Sequence, residues 1–353
     1  MSPDAKSQVL SRKERRQQKE QGRMEALRPL QERLMADDLP TQLEAAHELR
    51  TMLDGPHPPA LSDVLHADLD IAPRLLQLSQ QADNHDLHVE LLLALKLLTS
   101  GAAEQTRSLV DLGAVDIFER LLASPDAGVR ELAVTILGNI AGASVELRNN
   151  VIGSGVANDV MKMLAPVQKT DAIKYYDEAA KEWKFRGGTP EQPTALVRKS
   201  AQCLRQLCHG QPAPDFGAAH EQLVHTLSTL VMSSDDEVVL HACAAMSQLQ
   251  YAVPGHLAVL VKDGVCVRLL ELLGHSSSVC SEEVRSHAAL TLERIAGSGS
   301  QGQEVIIQSC EKVLKEGDGK DGKATLKRFV EMVNHAGVRD KVKAMLLCSV
   351  IRF

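Results

Sequence analysis

From Thr41 to about residue 310 the chain alternates short Gly-containing turns with brief amphipathic stretches and longer ones. In "AGVRELAVTILGNIAG", residues 127–142, helical spacing turns Ala133, Ile136, Leu137 and Ile140 toward neighbours. It sets Thr135 and Asn139 four residues apart on another face. Gly138 and Asn139 are poor helix formers in mid-helix, so something other than helix stability is expected to have placed them there.

The plan repeats. "LKLLTSG" ends at Gly101, "LGNIAG" at Gly142 and "LRQLCHG" at Gly210. The first interval fits the period of roughly 40 to 47 residues of armadillo and HEAT repeats. The second is longer by an insertion of about 27 residues if that period holds. The insertion reads "APVQKTDAIKYYDEAAKEWKFRGGTPEQP", polar and closed by Gly and Pro, after which the rhythm resumes in "HACAAMSQLQYAVPG" and "HAALTLERIAGSGS". Each unit is apolar on one side and cannot bury that side alone, whereas stacked neighbours can. The pattern therefore predicts an all-α, right-handed α-solenoid of armadillo-repeat or HEAT type. It divides the chain into an arm at 1–40, repeats at 41–310 with an insertion at about 165–195, and degenerate C-terminal capping helices at 311–353.

Composition narrows this further. Aromatic residues make up only 3 % of the 353 residues, which favours helix-on-helix packing over a sandwich or barrel. No apolar run reaches the roughly 18 residues of a membrane span, and the polar, basic start has no secretory stretch. Seven cysteines, at 203, 208, 243, 266, 280, 310 and 348, are scattered through apolar helical patterns and read as reduced core residues. The net charge of −7 hides an asymmetry: residues 1–23 carry +4 and the rest −11. With no apolar stripe before Met24, the segment to about residue 23 is expected to be disordered alone.

The stretches "SGAAEQTRSLVDLGAVDIFERLLASPDAGVRELAVTILGNIAG", "LCHGQPAPDFGAAHEQLVHTLSTLVMSSDDEVVLHAC" and "KDGVCVRLLELLGH" resemble importin-α, the armadillo-repeat adaptors of nuclear import, in order and spacing over roughly residues 41–310. The resemblance includes the family's Pro-rich turn, here Pro212 and Pro214. It implies a groove in which the third helix of each repeat presents Trp and, four residues on, Asn. The Asn amide holds the backbone of an extended cargo peptide; Trp rings form slots for Lys and Arg stems. Repeat by repeat, these positions fall on Leu93/Leu97, Thr135/Asn139, Gln202/Gln206, Ala244/Gln248 and Leu290/Arg294. No Trp remains, and the family's acidic residue after "NIAG" falls on Ala143. With each cation–π contact worth about 0.5–2 kcal/mol, the resemblance implies peptide binding through Thr135, Asn139, Gln202, Gln206 and Gln248 with weakened lysine selectivity.

By position, the basic arm with Arg12, Lys13, Arg15, Arg16 and Lys19 matches the family's importin-β-binding segment. Expected partners are thus cargo proteins with extended basic segments, and importin-β. The expected locations are cytoplasm and nucleus, without direct nucleic-acid binding. The alternative is an armadillo scaffold for protein assembly that has lost transport. The three amides also read as ordinary polar residues on an inherited scaffold, and the arm as a solvated terminus.

Other motifs offer little chemistry. His85 and His88 lie three apart without the further ligands zinc requires, and Cys203 and Cys208 are five apart rather than CxxC. "GDGKDGKA" has Ala324 where a phosphate loop needs Ser or Thr. No enzyme, metal or cofactor is expected. The insertion concentrates Tyr175, Tyr176, Trp183 and Phe185, on an expected short helix "AIKYYDEAAKEWKF". These aromatics would either pack on the adjacent repeat or form an exposed partner site.

Overall fold

The computed structural model describes residues 12–56, 58–59, 61–81, 84–169, 173–177, 182–186, 194–249, 254–274 and 281–316. The repeats are all-α, and the chain divides into two compact units, residues 1–121 and 122–353.

The first unit holds α1 (Arg12–Leu34), α2 (Leu39–Asp54), α3 (Leu61–Val64), α4 (Ile71–Gln81), α5 (His85–Thr99), α6 (Ala103–Asp111) and α7 (Ala114–Leu121). Its core is aliphatic: Leu49, Leu75, Leu91, Leu92 and Leu95 are fully buried, with Phe118 beside them. Where the sequence predicts a disordered arm, the described part is helical from Arg12. The cause lies in its second half, where Leu27, Leu30 and Leu34 are buried. The Nε of Arg74 donates to the Leu34 carbonyl at 3.1 Å, satisfying one of the acceptors a helix end leaves open.

The second unit holds α8 (Ala127–Ala143), α9 (Val145–Gly153), α10 (Val156–Lys169), a hairpin of β1 (Ile173–Asp177) and β2 (Glu182–Arg186), α11 (Thr194–Cys208), α12 (His220–Val231), α13 (Asp236–Met246), α14 (Pro254–Lys262), α15 (Val265–Gly274), α16 (Glu282–Gly297) and α17 (Ser300–Glu316). Long helices α8, α11, α13 and α16 pack in that order, each on the next. The hairpin overturns the helix expected for the insertion. Its antiparallel register sets Tyr175 opposite Lys184 and Tyr176 opposite Trp183, and aromatic residues favour strands. Helix α17 runs past the expected boundary at 310; the expected closing helices and "GDGKDGKA" lie outside the described residues.

Five of the longer helices start alike, and for a chemical reason. Asp38, Asn84, Asp126, Asp235 and Ser281 each stand before one and accept a hydrogen bond from backbone N–H groups of its first turn, as N-cap residues do. Where α11 ends, Arg148 fixes the following turn. It is only 1 % exposed and donates from Nη1 to the His209 carbonyl at 2.6 Å and from Nη2 to the Pro212 carbonyl at 2.9 Å. Burial lowers its guanidinium pKa.

Candidate peptide-binding face

The caps give a common ruler. From Asn84 to Leu97, Asp126 to Asn139, Asp235 to Gln248 and Ser281 to Arg294 the offset is the same thirteen residues. The positions aligned by sequence therefore share a helical register counted from the cap. Their surroundings differ. Leu93 and Leu97 are half-buried, Ala244 is buried and Leu290 is exposed.

On α8, Thr135 is half-buried and its hydroxyl donates to the Glu131 carbonyl at 2.7 Å, a bond to its own helix. Asn139 is half-buried. Gly138 has a packing reason. A Cβ there would stand 3.3 Å from the Cα of Cys203 on α11, so the missing side chain lets the two helices approach. At Gly142 a Cβ would meet the Gln206 side-chain amide at 3.1–3.4 Å. Gln206 thus reaches from α11 over α8, within one turn of Asn139.

The Oε1 of Gln202 accepts from the Lys199 ammonium at 3.2 Å. Gln248 departs from the sequence expectation, because α13 ends at Met246 and leaves Gln248 in the following turn. Two of the three amides, Asn139 and Gln206, therefore lie on the packed helices α8 and α11, and the third in the turn after α13. Arg12, Lys13, Arg15, Arg16 and Lys19 have helical backbone on α1, and their side chains lie outside the described residues.

Sequence reasoning missed a set of charged groups on the same helices. Arg198 pairs with Asp235 at 2.8 Å and Glu237 at 3.4 Å. Arg205 reaches Glu283 on α16 at only 3.7 Å. His241, at 8 % exposure, has Nε2 3.9 Å from Glu237, and its buried Nδ1 has no hydrogen-bond partner among the described residues. The hydroxyl of Ser247 donates to the Ala244 carbonyl at 2.7 Å, so its oxygen is left to accept from His287 Nδ1 at 3.2 Å, which puts the proton on that nitrogen. Burial and then the nearby Arg205 lower the pKa of both His241 and His287. The available signal was positional. His241 and His287 stand six residues after their caps, and Lys199 precedes Gln206 by the interval that separates His241 from Gln248.

In the first unit, α2 and α5 line an open cavity of about 420 Å³ bordered by Leu43, Glu44, His47, His85, Asp86, Val89 and Glu90. Burial pushes the Glu90 carboxyl up, but hydrogen bonds from Arg50 and His47 outweigh it and hold the pKa below the ordinary value.

Among the described residues there is no group of three or more His, Cys, Asp or Glu side chains placed to hold a metal ion. No described helix is long and apolar enough to cross a membrane. Burial raises the thiols of Cys203, Cys266 and Cys310 to about 12 and pushes Cys208 up as well, which makes them poor nucleophiles.

Comparison with known proteins agrees with this architecture. Residues 103–142 match the family model of the Armadillo/beta-catenin-like repeat. The chain is 31 % identical over 258 residues to importin subunit alpha-1b of Oryza sativa subsp. japonica, covering 73 % of this chain and 43 % of that protein. It is 31 % identical over 255 residues to importin subunit alpha-2 of Arabidopsis thaliana, covering 72 % and 43 %. Over 325 residues it is 28 % identical to importin subunit alpha-1a of the same rice, covering 90 % and 55 %. The chain thus spans about half the length of these relatives. In fold it is similar to an engineered protein of known crystal structure, with TM-score 0.64, 22 % identity and coverage of 92 % of this chain and 78 % of that one. It is also similar to computationally designed armadillo repeat proteins for modular peptide recognition, with TM-score 0.52, 20 % identity and coverage of 74 % and 99 %.

Proposed function

We propose, on the premise that this chain is a divergent importin-α-like armadillo protein, that it is a non-enzymatic adaptor for nuclear import. In this role it holds an extended segment of a cargo protein against α8 and α11, working in cytoplasm and nucleus. The observation that carries the reading is the Gln206 amide of α11 lying against Gly142 of α8, one turn along that helix from Asn139. A carboxamide offers both a donor and an acceptor, which suits it to a peptide backbone irrespective of side chain. Thr135 and Gln202 flank this pair, and Gln248 contributes from the turn after α13.

Lysine selectivity is weak in this reading. Leucine, threonine, glutamine and alanine offer no aromatic face to a cation at four of the aligned positions, and Leu290 offers none at the fifth. Basic α1, through Arg12, Lys13, Arg15, Arg16 and Lys19, is the segment assigned to importin-β. The same loss of aromatics favours a second reading, an assembly scaffold without transport.

The test is fluorescence anisotropy with a lysine-rich localisation peptide on the full chain, beside the Asn139→Ala/Gln206→Ala variant. The adaptor reading expects binding tighter than about 1 mM that the double change weakens. Binding no better than that overturns recognition of basic cargo, and binding indifferent to the change overturns the assignment of Asn139 and Gln206. Capture of importin-β by the full chain, lost when the five basic residues of α1 are replaced by alanine, separates adaptor from scaffold.

A further inference from the structure

Lys199, His241 and His287 occupy one register position on three successive helices, α11, α13 and α16. Arg205 adds a guanidinium from α11 that crosses toward α16, where it meets Glu283. At 3.7 Å that contact exceeds hydrogen-bond length, and the Glu283 side chain is 56 % exposed. The Lys199 ammonium is hydrogen-bonded by a neutral amide oxygen, that of Gln202, rather than by a carboxylate. Of the other carboxylates at the starts of α13 and α16, Asp235 is bound to Arg198 at 2.8 Å and also caps α13, Glu237 shares the same Arg198, and Asp236 and Glu282 are exposed to solvent.

The net effect at the imidazoles is cationic. Their charged forms are disfavoured first by burial and next by Arg205, ahead of the opposing Glu237 and Glu283; Lys199 adds to the effect at His241. His241 also keeps a buried Nδ1 without a hydrogen-bond partner among the described residues. A face with two long cationic side chains loosely met, two imidazoles beneath them and carboxamides one turn away is complementary to an anion carried on an extended backbone.

We propose that the α11–α13–α16 face is a subsite for an acidic side chain, aspartate or glutamate, of the bound segment, with Arg205 and Lys199 as its donors and His241 and His287 lining it. This rests on the peptide-binding reading above. It names the residue chemistry selected there, opposite in sign to the lysine that the lost slots would have taken. Charge-assisted hydrogen bonds are the strong ones, and the carboxylate displaces only the loose Glu283 contact.

The test compares three Gly/Ser peptides of equal length, with central Glu-Asp-Glu, Ser-Ser-Ser or Lys-Arg-Lys, by anisotropy on the full chain at low salt. The Glu-Asp-Glu peptide is expected to bind about tenfold tighter than the serine peptide, as one charge-assisted contact provides, and to lose this advantage as salt rises. Arg205→Gln, on a side chain one-third exposed, should reduce the acidic peptide's advantage over the serine peptide to about twofold.

A second readout is proton NMR of the imidazoles. The acidic peptide should raise the pKa of His241 and His287, and the serine peptide should not. Binding of the lysine peptide in preference to the acidic one overturns this inference and leaves the peptide-binding reading standing. Failure of all three peptides to bind overturns both. Equal binding by all three supports backbone recognition and overturns the acidic subsite.

Discussion

The six-after-cap position carries different chemistry in the two units. In the first it is acidic, Glu44 on α2 and Glu90 on α5; in the second it is Leu132 on α8 but imidazole on α13 and α16, His241 and His287, with which Lys199 on α11 aligns by its interval to Gln206. The helices are joined differently as well. In the first unit Glu90 is bound by Arg50 Nε at 2.5 Å and His47 Nδ1 at 3.2 Å, a closed ionic joint between α2 and α5. In the second, α8 and α11 meet through the missing side chain of Gly138, and α13 and α16 through Ser247 with His287. One scaffold register therefore serves either to close an ion pair or to leave cations loosely met. The second arrangement keeps charge available for a ligand.

The sharpest way to break this contrast is at the glycine joint. Gly138→Val should cost about 2–3 kcal/mol, because the added atoms collide with α11 backbone in a filled core. It should lower the thermal midpoint and the hydrogen-exchange protection of α8 and α11 without affecting α2 and α5. Next is Arg148→Met, expected to cost about 2 kcal/mol by leaving the His209 and Pro212 carbonyls without their donor; chemical denaturation measures it. In the first unit, Glu90→Gln should cost less than about 1 kcal/mol, since part-exposed ion pairs contribute little. A double-mutant cycle with Arg50→Ala would show that the joint is ionic.

Acid should distinguish the units as well. The pKa values of His241 and His287 are lowered in the fold, so the unfolded chain binds protons first as pH falls. The stability they contribute is complete above the unfolded value of about 6.5 and is lost as pH drops from there toward their folded values. The Glu90 pKa is also lowered, but its contribution persists until pH falls below the ordinary glutamate range. Exchange protection measured from pH 7.5 to 5.5 should therefore weaken first along α13 and α16. A His241→Gln/His287→Gln variant should remove that early loss.

Much of the repeat architecture was legible because an apolar stripe, a capping side chain and a closing glycine recur together, and each is a local property of the chain. The function of Gly138 was not, since only its neighbour Cys203 explains it, and a neighbour 65 positions along the chain leaves no local trace. The insertion misled for another reason. "EAAK" at its centre is built of helix formers, yet the flanking Ile173–Asp177 and Glu182–Arg186 pair as strands. Asn139 and Gln206 were visible as a spaced pair, whereas Arg205, His241 and His287 were hidden, because no single stretch contains them and only the packing of α11, α13 and α16 assembles them. Helix α1 was half legible: its charge could be read, but the burial of Leu27, Leu30 and Leu34 depends on the helices that receive them.

Whether α8, α11, α13 and α16 form the peptide-binding face can be read by an NMR titration of the full chain with selectively labelled Asn and Gln side-chain amides, using the Gly/Ser peptide with central Glu-Asp-Glu. Saturable shifts of the Asn139 and Gln206 amide signals are expected, with those of Gln42 and Gln77 in the first unit unmoved. Unmoved Asn139 and Gln206 signals at peptide concentrations that saturate anisotropy, or shifts confined to the first unit, would contradict that assignment of the face.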